Sequence, residues 1–519
     1  MKRLLLLLSL MPFFFSAPAQ QLQLVKELNT NPGGHSYPYG FTVVGSKLFF
    51  IATNASFQVR LYVSQGTDAT TELLGPSTAT NGSISNLISY NGKLFFSCND
   101  GVNGQELWTS DGTVGGTVLF KDLYPGSNGS YPEAFTITNN KLFFMGAAPT
   151  GERRLYASDG TTGGTSIIRD NYIQVFNGMT NFPVMNNEIY FIGDNGTGSG
   201  SGLWRSNGTL GGTVVVRGDI FPGNTGGNYA VLNNKLYFSC FDYINGSELW
   251  VTDGSNAGTH IVKNLSPDAG GVFGNGAPQG LTVFNSKIYF SATDGTHGNE
   301  LFVSDGTDPG TVLVKDIFPG TDGSIPYNIT VYNGMMYLTC WGLQQLWKSD
   351  GTGAGTQLVK DLPQYSRFGE IWNNKMYLIS NSFTDLWQSD GTPAGTGVAT
   401  ATNTINPINI TGSDQHMTIY NNGLYFSGYC FNISSGYEPL RFITGLPPLT
   451  TYTFNGSGNW SNPANWSGGI VPPSTLLSTD RVIISGICTL DITQHAQSGS
   501  VITVSTGGTL IINGSLTIS

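Results

Sequence analysis

The sequence is poor in charge, in cysteine and in long apolar runs. Only 11% of its 519 residues are charged and the formal net charge is −10. That balance excludes a nucleic-acid binder, whose phosphate contacts need clustered Lys and Arg. The five cysteines form no CxxC pair and show no Cys/His ligand spacing, which argues against a zinc module. Beyond the first twenty residues no run approaches the roughly 20 apolar residues of a membrane-spanning helix, so no transmembrane span is expected in the mature chain. No sustained 3.6-residue periodicity is found, which excludes a helical architecture. HExxH, GxSxG and P-loop patterns are missing too, and His35, His260, His297, His416 and His495 stand apart from one another.

What the chain has in quantity is glycine (70 residues) and aromatic side chains (12%), the balance of a turn-rich, strand-rich protein. Its start is different in kind. Lys2 and Arg3 precede an apolar stretch (Leu4 to Leu8, Phe13 to Phe15) and a small-residue exit at Ala17, Pro18 and Ala19. This pattern predicts a secretory signal peptide over 1–19, and with it a secreted or cell-surface protein. A short membrane anchor is the competing reading. No cysteine follows the apolar stretch, so no lipid-attachment site is expected.

The rest of the chain to about residue 445 repeats itself. A KLYF-like run recurs at Lys47, Lys93, Lys141, Glu188, Lys235, Lys287, Met335, Lys375 and Gly423, nine times in all. A DGT-like turn recurs at Asp111, Asp159, Asn207, Asp253, Asp305, Asp350 and Asp390, and subtracting neighbours gives spacings of 40 to 52 residues. A degraded copy lies at Gln65, Gly66 and Thr67. Each unit reads as four strands, FTV-like, KLYF-like, ELW-like and VLVKDI-like, joined by Gly, Asn and Asp turns. Four strands per repeat of this length is the signature of a β-propeller blade. The KLYF runs are apolar on successive residues, as a strand covered on both faces by stacked blades must be.

The repeat is out of phase with the chain. Leu24 to Leu28 is a fourth-strand motif with no first strand before it, while the ninth unit stops after a weak third strand at Glu438 to Phe442. The amino-terminal strand is therefore expected to complete the last blade and close a ring of about eight to nine blades. Residues such as Glu106, Leu107, Trp108, Asp111, Gly112 and Thr113, and again Glu248, Leu249, Trp250, Asp253 and Gly254, resemble the ELWxxDGT repeats of secreted bacterial proteins. The resemblance covers about four fifths of the chain and implies a repeat architecture without implying a defined activity. Leu155 and Tyr156, and Leu301 and Phe302, depart from it by lacking the Trp; Leu346 and Leu386 lack the preceding Glu.

The recurrent residues are given structural work first. Trp108, Trp204, Trp250, Trp347 and Trp387 occupy one place in their units and read as inter-blade packing, with an aromatic sugar platform as the alternative. Asp111, Asp159, Asp253, Asp305, Asp350 and Asp390 read as Asx-turn formers ahead of a glycine at positive φ. Two hairpins, with Asp100, Asn103 and Glu106 and with Asp294, Asn299 and Glu300, carry enough oxygen donors on Gly-rich loops to suggest Ca²⁺. Neither has the alternating acids of an EF-hand or a GGxGxD nonapeptide. Cys98, Cys240 and Cys340 fall on the same rung of units two, five and seven, too far apart for a disulfide, and are expected to be buried free thiols.

After a linker at 446–450 the composition changes. Trp460, Trp466, Gly468, Gly469, Pro472, Asp480, Asp491, Gly507, Gly508 and Gly514 resemble the eight-glycine domain and related heads of bacterial surface β-helices. The resemblance covers 451–519 and implies a small β-helix-like or β-sandwich-like capping or attachment module. The whole chain is thus expected to be all-β, a propeller over 21–445 followed by this module. It ends at Ser519 on a rung-like strand. Two functions fit. One is an exported, non-enzymatic binding scaffold for an extracellular polysaccharide or a surface protein. The other is a propeller glycosidase or lyase, whose acids would have to converge from several blades on the tunnel mouth.

Overall fold

A computed structural model describes residues 21–75, 84–169, 181–194, 201–222, 229–267, 276–340, 342–363, 366–380, 386–399, 417–429, 436–443, 451–467, 472, 475–476, 481–491, 493–496, 501–504, 509–512 and 515–518. The expected signal peptide, the linker and Cys430 lie outside these residues. The chain divides into two compact units, Gln23–Arg441 and one that contains Phe442–Ser519. The described residues hold no α-helix, only strands and two short 3₁₀ turns, and therefore none long and apolar enough to cross a membrane.

The first unit is a nine-bladed β-propeller. Blades 1, 2 and 3 span Tyr39–Leu73, Ile84–Lys121 and Glu133–Ile167, and blades 4, 5 and 6 span Val184–Arg217, Phe221–Lys263 and Gln279–Lys315. Blades 7 and 8 span Pro326–Asp361 and Ser366–Val398. Blade 9 takes three strands, Thr418–Tyr420, Gly423–Tyr429 and Tyr437–Ile443, from the end of the propeller sequence and its outermost strand, Gln21–Leu24, from the beginning. Each blade is an antiparallel meander. Successive first strands touch around the ring, which puts them on its inside.

The cores lie between blades, and this explains the unbroken apolar runs. In blade 1, Leu48, Phe50 and Ala52 join a cluster with Tyr420 and Tyr425 of blade 9, while the intervening Phe49 and Ile51 join one with Leu94 and Phe96 of blade 2. Side chains alternate across a strand as they must. Both faces are interior, so both sets are apolar. Each Phe buried this way contributes about 1.5–3 kcal/mol. The second and third strands are held in register by an aromatic or aliphatic pair at one rung: Phe96 with Trp108, Phe191 with Trp204, Phe238 with Trp250, Leu338 with Trp347. First strands carry a bulge at a left-handed residue, Gly40, Asn86, Ala134, Gly280 or Asn328, which bends the strand locally.

In the second unit, strands pair in parallel with the strand three further on. Thr451–Phe454, Arg481–Ile484 and Val501–Val504 form one three-stranded sheet; Ser457–Asn459, Ile487–Leu490 and Thr509–Ile512 form a second; Thr475–Leu476, Thr493–Ala496 and Ser515–Ile518 form a third. Trp460 and Trp466 pack edge to face at 4.9 Å among Phe454, Val482, Ile484, Cys488 and Leu490. The Trp466 indole N–H donates to the Trp460 carbonyl at 2.7 Å.

The amino-terminal strand brings Val25 and Leu28 into the core between blades 9 and 1. Deleting Gln21–Leu28 should therefore cost about 3 kcal/mol or more and lower the melting temperature of the whole propeller, read by circular dichroism. Unchanged cooperative melting would show that the strand does not fasten the ring.

Candidate functional site

In an antiparallel meander the second-to-third hairpins and the fourth-to-first connections lie on one face of the ring, and the remaining turns lie on the other. The two faces use their polar residues differently.

On the turn face the DGT loops recur almost atom for atom. Asp111 Oδ1 accepts the Thr113 amide (2.9 Å) and hydroxyl (2.7 Å), the Thr113 hydroxyl accepts the Gly116 amide, and the Ser110 and Thr117 hydroxyls meet at 2.7 Å. The same set holds the loops of Asp159, Asp253, Asp305, Asp350 and Asp390, and Asn207 serves equally well. In each acidic copy the Thr or Ser hydroxyl, then its amide, hold the carboxyl below its ordinary range. The glycine that follows is required twice over. Gly254 has φ +92°, and a Cβ there would stand 2.7 Å from the Tyr190 hydroxyl of the preceding blade.

The tryptophans pack between blades. Trp108, Trp204 and Trp250 are buried, and Trp347 and Trp387 are half-buried. Arg169, Arg217 and Lys315 at the ends of blades 3, 4 and 6 lie over Trp204, Trp250 and Trp347 of the next blade, 5.3–5.9 Å from the ring centres. Each of these cations also donates to the next blade's DGT loop, at Thr213, Thr259 and Thr356. Cys98, Cys240 and Cys340 are free and buried. Burial pushes the Cys98 and Cys340 thiols up to about 12 and that of Cys240 well above its ordinary value, so none is a reactive thiolate.

The hairpin face holds the residues considered for Ca²⁺, and the structure does not assemble them as a ligand set. Asp100 closes its own hairpin: Oδ1 accepts the Val102 and Asn103 amides, and Oδ2 accepts the Asn103 side-chain amide at 2.7 Å. Asp294 does the same with Thr296 and His297, and its Oδ2 meets His297 Nδ1 at 2.8 Å. Asn299 enters through its backbone, its carbonyl accepting the Ile325 amide. No group of three His, Cys, Asp or Glu side chains is placed to hold a metal among the described residues.

Glu106 and Glu300 have a different task, shared with Glu248 and Glu438. Glu106 is fully buried and accepts the amides of Leu123 (2.7 Å), Tyr124 (3.3 Å) and Ser130 (2.8 Å) and the Ser130 hydroxyl (2.7 Å). Glu300 accepts the amides of Ile317, Phe318 and Ser324 and the Ser324 hydroxyl at 2.7–3.1 Å. Glu248 accepts from Leu265, Ser266 and Gly276. Glu438 accepts from Leu28, Asn29 and the Ser36 hydroxyl, more than 400 residues away in sequence. In every copy one carboxyl ties the end of its own blade to the start of the next. The residue after the Ser or Gly adopts a left-handed conformation: Tyr37, Tyr131, Ala277 and Ile325, with φ from +42° to +52°. Sequence reading placed these glutamates in the repeat and missed the clamp. The available signal was that the ELW glutamate of blades 2, 6 and 9 is accompanied by an SYP or SIP at Ser130, Ser324 and Ser36.

Exposure is also uneven between the faces. Six aromatic side chains are exposed among the described residues, Tyr37, Phe57, Tyr131, Tyr243, Phe318 and Tyr327, and all lie in hairpins, connections or strand entries of the hairpin face. The DGT loops of the turn face expose Val114 and Leu210 instead. Along the axis, the first strands present Ile137, Val231, Val283, Val331, Ile371 and Ile419 at one equivalent rung. Among the acids of the described first strands, Glu133 is ion-paired with Arg153, and Glu370 lies in blade 8, four blades away around the ring.

No family model and no curated protein matches the chain. Among solved structures it is similar to a computationally designed protein, Ika8, at 11% identity over 82% of this chain and 100% of that one (TM-score 0.40). A prolyl endopeptidase is similar at 11% identity over 70% and 55% of the two chains (TM-score 0.37). TolB from Acinetobacter baumannii is similar at 12% over 51% and 62% (TM-score 0.27). The chain thus spans little more than half the length of the last two.

At Glu106, Glu248 and Glu438 burial is the largest influence on the carboxyl and outweighs its donors, raising Glu106 and pushing Glu248 and Glu438 from 4.5 up to about 7. A carboxyl that keeps its proton in the fold and loses it in the unfolded chain stabilises the fold below pH 4.5, and that contribution is gone above 7. Each such group contributes a slope of about 1.4 kcal/mol per pH unit within that window. Melting temperature should fall as pH rises from about 5 to 7.5, and Glu248→Gln with Glu438→Gln should flatten the profile; a rise over this window in the parent chain would contradict the assignment.

Proposed function

We propose that this chain is an exported, non-enzymatic binding protein whose propeller presents its hairpin face to an extracellular polysaccharide. The observation that carries the reading is the placement of all six exposed aromatic side chains of the described residues on that one face. These rings keep much of their surface in water, and aromatic faces are what a sugar's C–H surfaces stack on. The buried acids support a binding role over a catalytic one, because Glu106, Glu248, Glu300 and Glu438 are committed to backbone donors. Export rests on Lys2, Arg3 and the apolar stretch before Ala19, and membership of the ELWxxDGT repeats on the residues that resemble them.

Two measurements test this. Amino-terminal sequencing of protein recovered outside the cell should begin near Gln20; an intact Met1 would remove the export reading. In affinity electrophoresis the full chain should be retarded by at least one neutral polysaccharide. Tyr243→Ala should weaken that retardation about tenfold, while Val114→Ala and Leu210→Ala should leave it unchanged. Loss of binding in the turn-face variants alone would place the ligand on the other face and overturn the reading.

A further inference from the structure

Three of the six exposed aromatic residues stand on backbone that aromatic residues rarely adopt. Tyr37, Phe57 and Tyr131 have φ of +44°, +58° and +52° and are 48%, 72% and 55% exposed. Left-handed backbone is unfavourable for a residue with a Cβ and is tolerated where the surroundings fix it. At Phe57 the comparison with another blade is direct. Its amide donates to the Asn54 carbonyl at 2.9 Å and the Asn54 amide to the Gln58 carbonyl at 3.0 Å; in blade 3 the same two bonds are made by Gly151, Ala148 and Glu152. Where blade 3 has a glycine at φ +85°, blade 1 has an outward-facing Phe. Nothing in the packing asks for that ring.

The three residues follow one another around the ring. Tyr37 is in the connection from blade 9 to blade 1, Phe57 is at the hairpin of blade 1, and Tyr131 is in the connection from blade 2 to blade 3. Each is set in place by its neighbours. The Tyr37 ring stacks on the buried Tyr437 at 5.2 Å, with His35 at 5.2 Å on another side. The Asn31 side chain holds the Ala55 carbonyl beside Phe57 at 2.6 Å. The Tyr131 amide donates to the Gln105 carbonyl at 2.9 Å, next to the Glu106 clamp. The segments that carry them, 29–38, 53–58 and 123–132, contain no Asp, Glu, Lys or Arg, and apart from His35, Ala55, Leu123 and Tyr124 their other residues are Asn, Ser, Thr, Gln, Gly and Pro.

We infer that Tyr37, Phe57 and Tyr131 form a glycan-binding arc over blades 1 to 3, each ring taking one sugar face of an uncharged polysaccharide chain. Separate rings set among neutral hydrogen-bonding groups match the alternation of C–H faces and hydroxyls along such a chain. A protein partner needs a contiguous apolar centre, and an acidic polymer needs cations. The glutamates Glu106 and Glu438 act as positioning residues, since their clamps fix the turns from which Tyr131 and Tyr37 project. The inference rests on the proposed polysaccharide-binding function and specifies where on the hairpin face the polymer lies.

Backbone strain gives the test a signature that a structural role would not produce. The full chain is titrated by calorimetry with laminarin, xyloglucan, galactomannan and chitohexaose, and compared with Tyr37→Gly, Phe57→Gly and Tyr131→Gly. Each glycine variant should bind about tenfold more weakly; Phe57→Gly and Tyr131→Gly should nevertheless melt at the same or a higher temperature, because the left-handed residue is relieved, whereas Tyr37→Gly also loses its stacking on Tyr437. Tyr131→Phe should bind as the parent does. If the parent binds and Tyr243→Ala weakens it while the three glycine variants do not, the arc is wrong and the polysaccharide reading stands. If the parent binds none of the four glycans, or if Phe57→Gly and Tyr131→Gly lose binding only together with stability, the arc is overturned; in the first case the reading it rests on falls too.

Discussion

The structure turns on a buried glutamate. A carboxyl group taken out of water is strongly unfavourable unless its oxygens are met by donors, and a backbone amide left unpaired in the same place costs about 1–3 kcal/mol. At Glu106, Glu248, Glu300 and Glu438 each problem is the answer to the other. The chain leaving one blade must turn and enter the next, exposing amides that no strand can pair, and the side chain of the third strand accepts them. The rung opposite is kept small, by Cys98, Cys240 and Ala292, which leaves room for the carboxyl. Because the donors lie on both sides of the junction, the clamp fixes the spacing of two blades and not only the shape of one loop.

The seam shows how general the device is. The outer strand of blade 9 runs on into blade 1, and the break in the ring lies within blade 9, between Tyr437–Ile443 and Gln21–Leu24; the contacts at this seam copy those of an internal junction. Glu438 holds Leu28 and Ser36 as Glu106 holds Leu123 and Ser130. Lys26 reaches the carbonyl of Thr71 as Lys121 reaches that of Thr165. The Tyr420 hydroxyl donates to the Ser46 carbonyl as that of Tyr90 does to Asn140. The junction of blades 9 and 1 is thus held by the same contacts as the internal junction of blades 2 and 3.

Much of this was legible in the sequence. The nine KLYF runs mark nine second strands, apolar on consecutive residues because each lies between two neighbours, and the orphan fourth-strand motif at Leu24 to Leu28 foretells the closure, although the strand itself lies earlier, at Gln21–Leu24. The Asp of each DGT is an Asx turn because Asp followed by Gly has few other uses in a tight loop. The clamp was hard to read for a physical reason: most of its donors are backbone amides, at Glu106 17 and 24 residues further along, and an amide leaves no residue-type signature, so the Ser of SYP or SIP was the one mark it left. Thus Glu106 and Glu300 looked like oxygen ligands for a cation. The same position is Arg60, Arg154, Gly202 and Gln345 in blades 1, 3, 4 and 7, which disguised the pattern further. Nor could the strained backbone of Phe57 be foreseen, since an exposed Phe in a polar loop carries no mark of its φ angle.

Closure of the ring depends on whether the seam is held as the internal junctions are. Native-state hydrogen exchange on the full chain compares the amides of Leu28, Leu123, Leu265 and Ile317, each of which donates to a buried glutamate. Protection of all four to the same level, released together only by global unfolding, is the predicted result. Leu28 exchanging orders of magnitude faster than the other three would mean that the ring opens at the seam and that the carboxyl clamp is not what closes it.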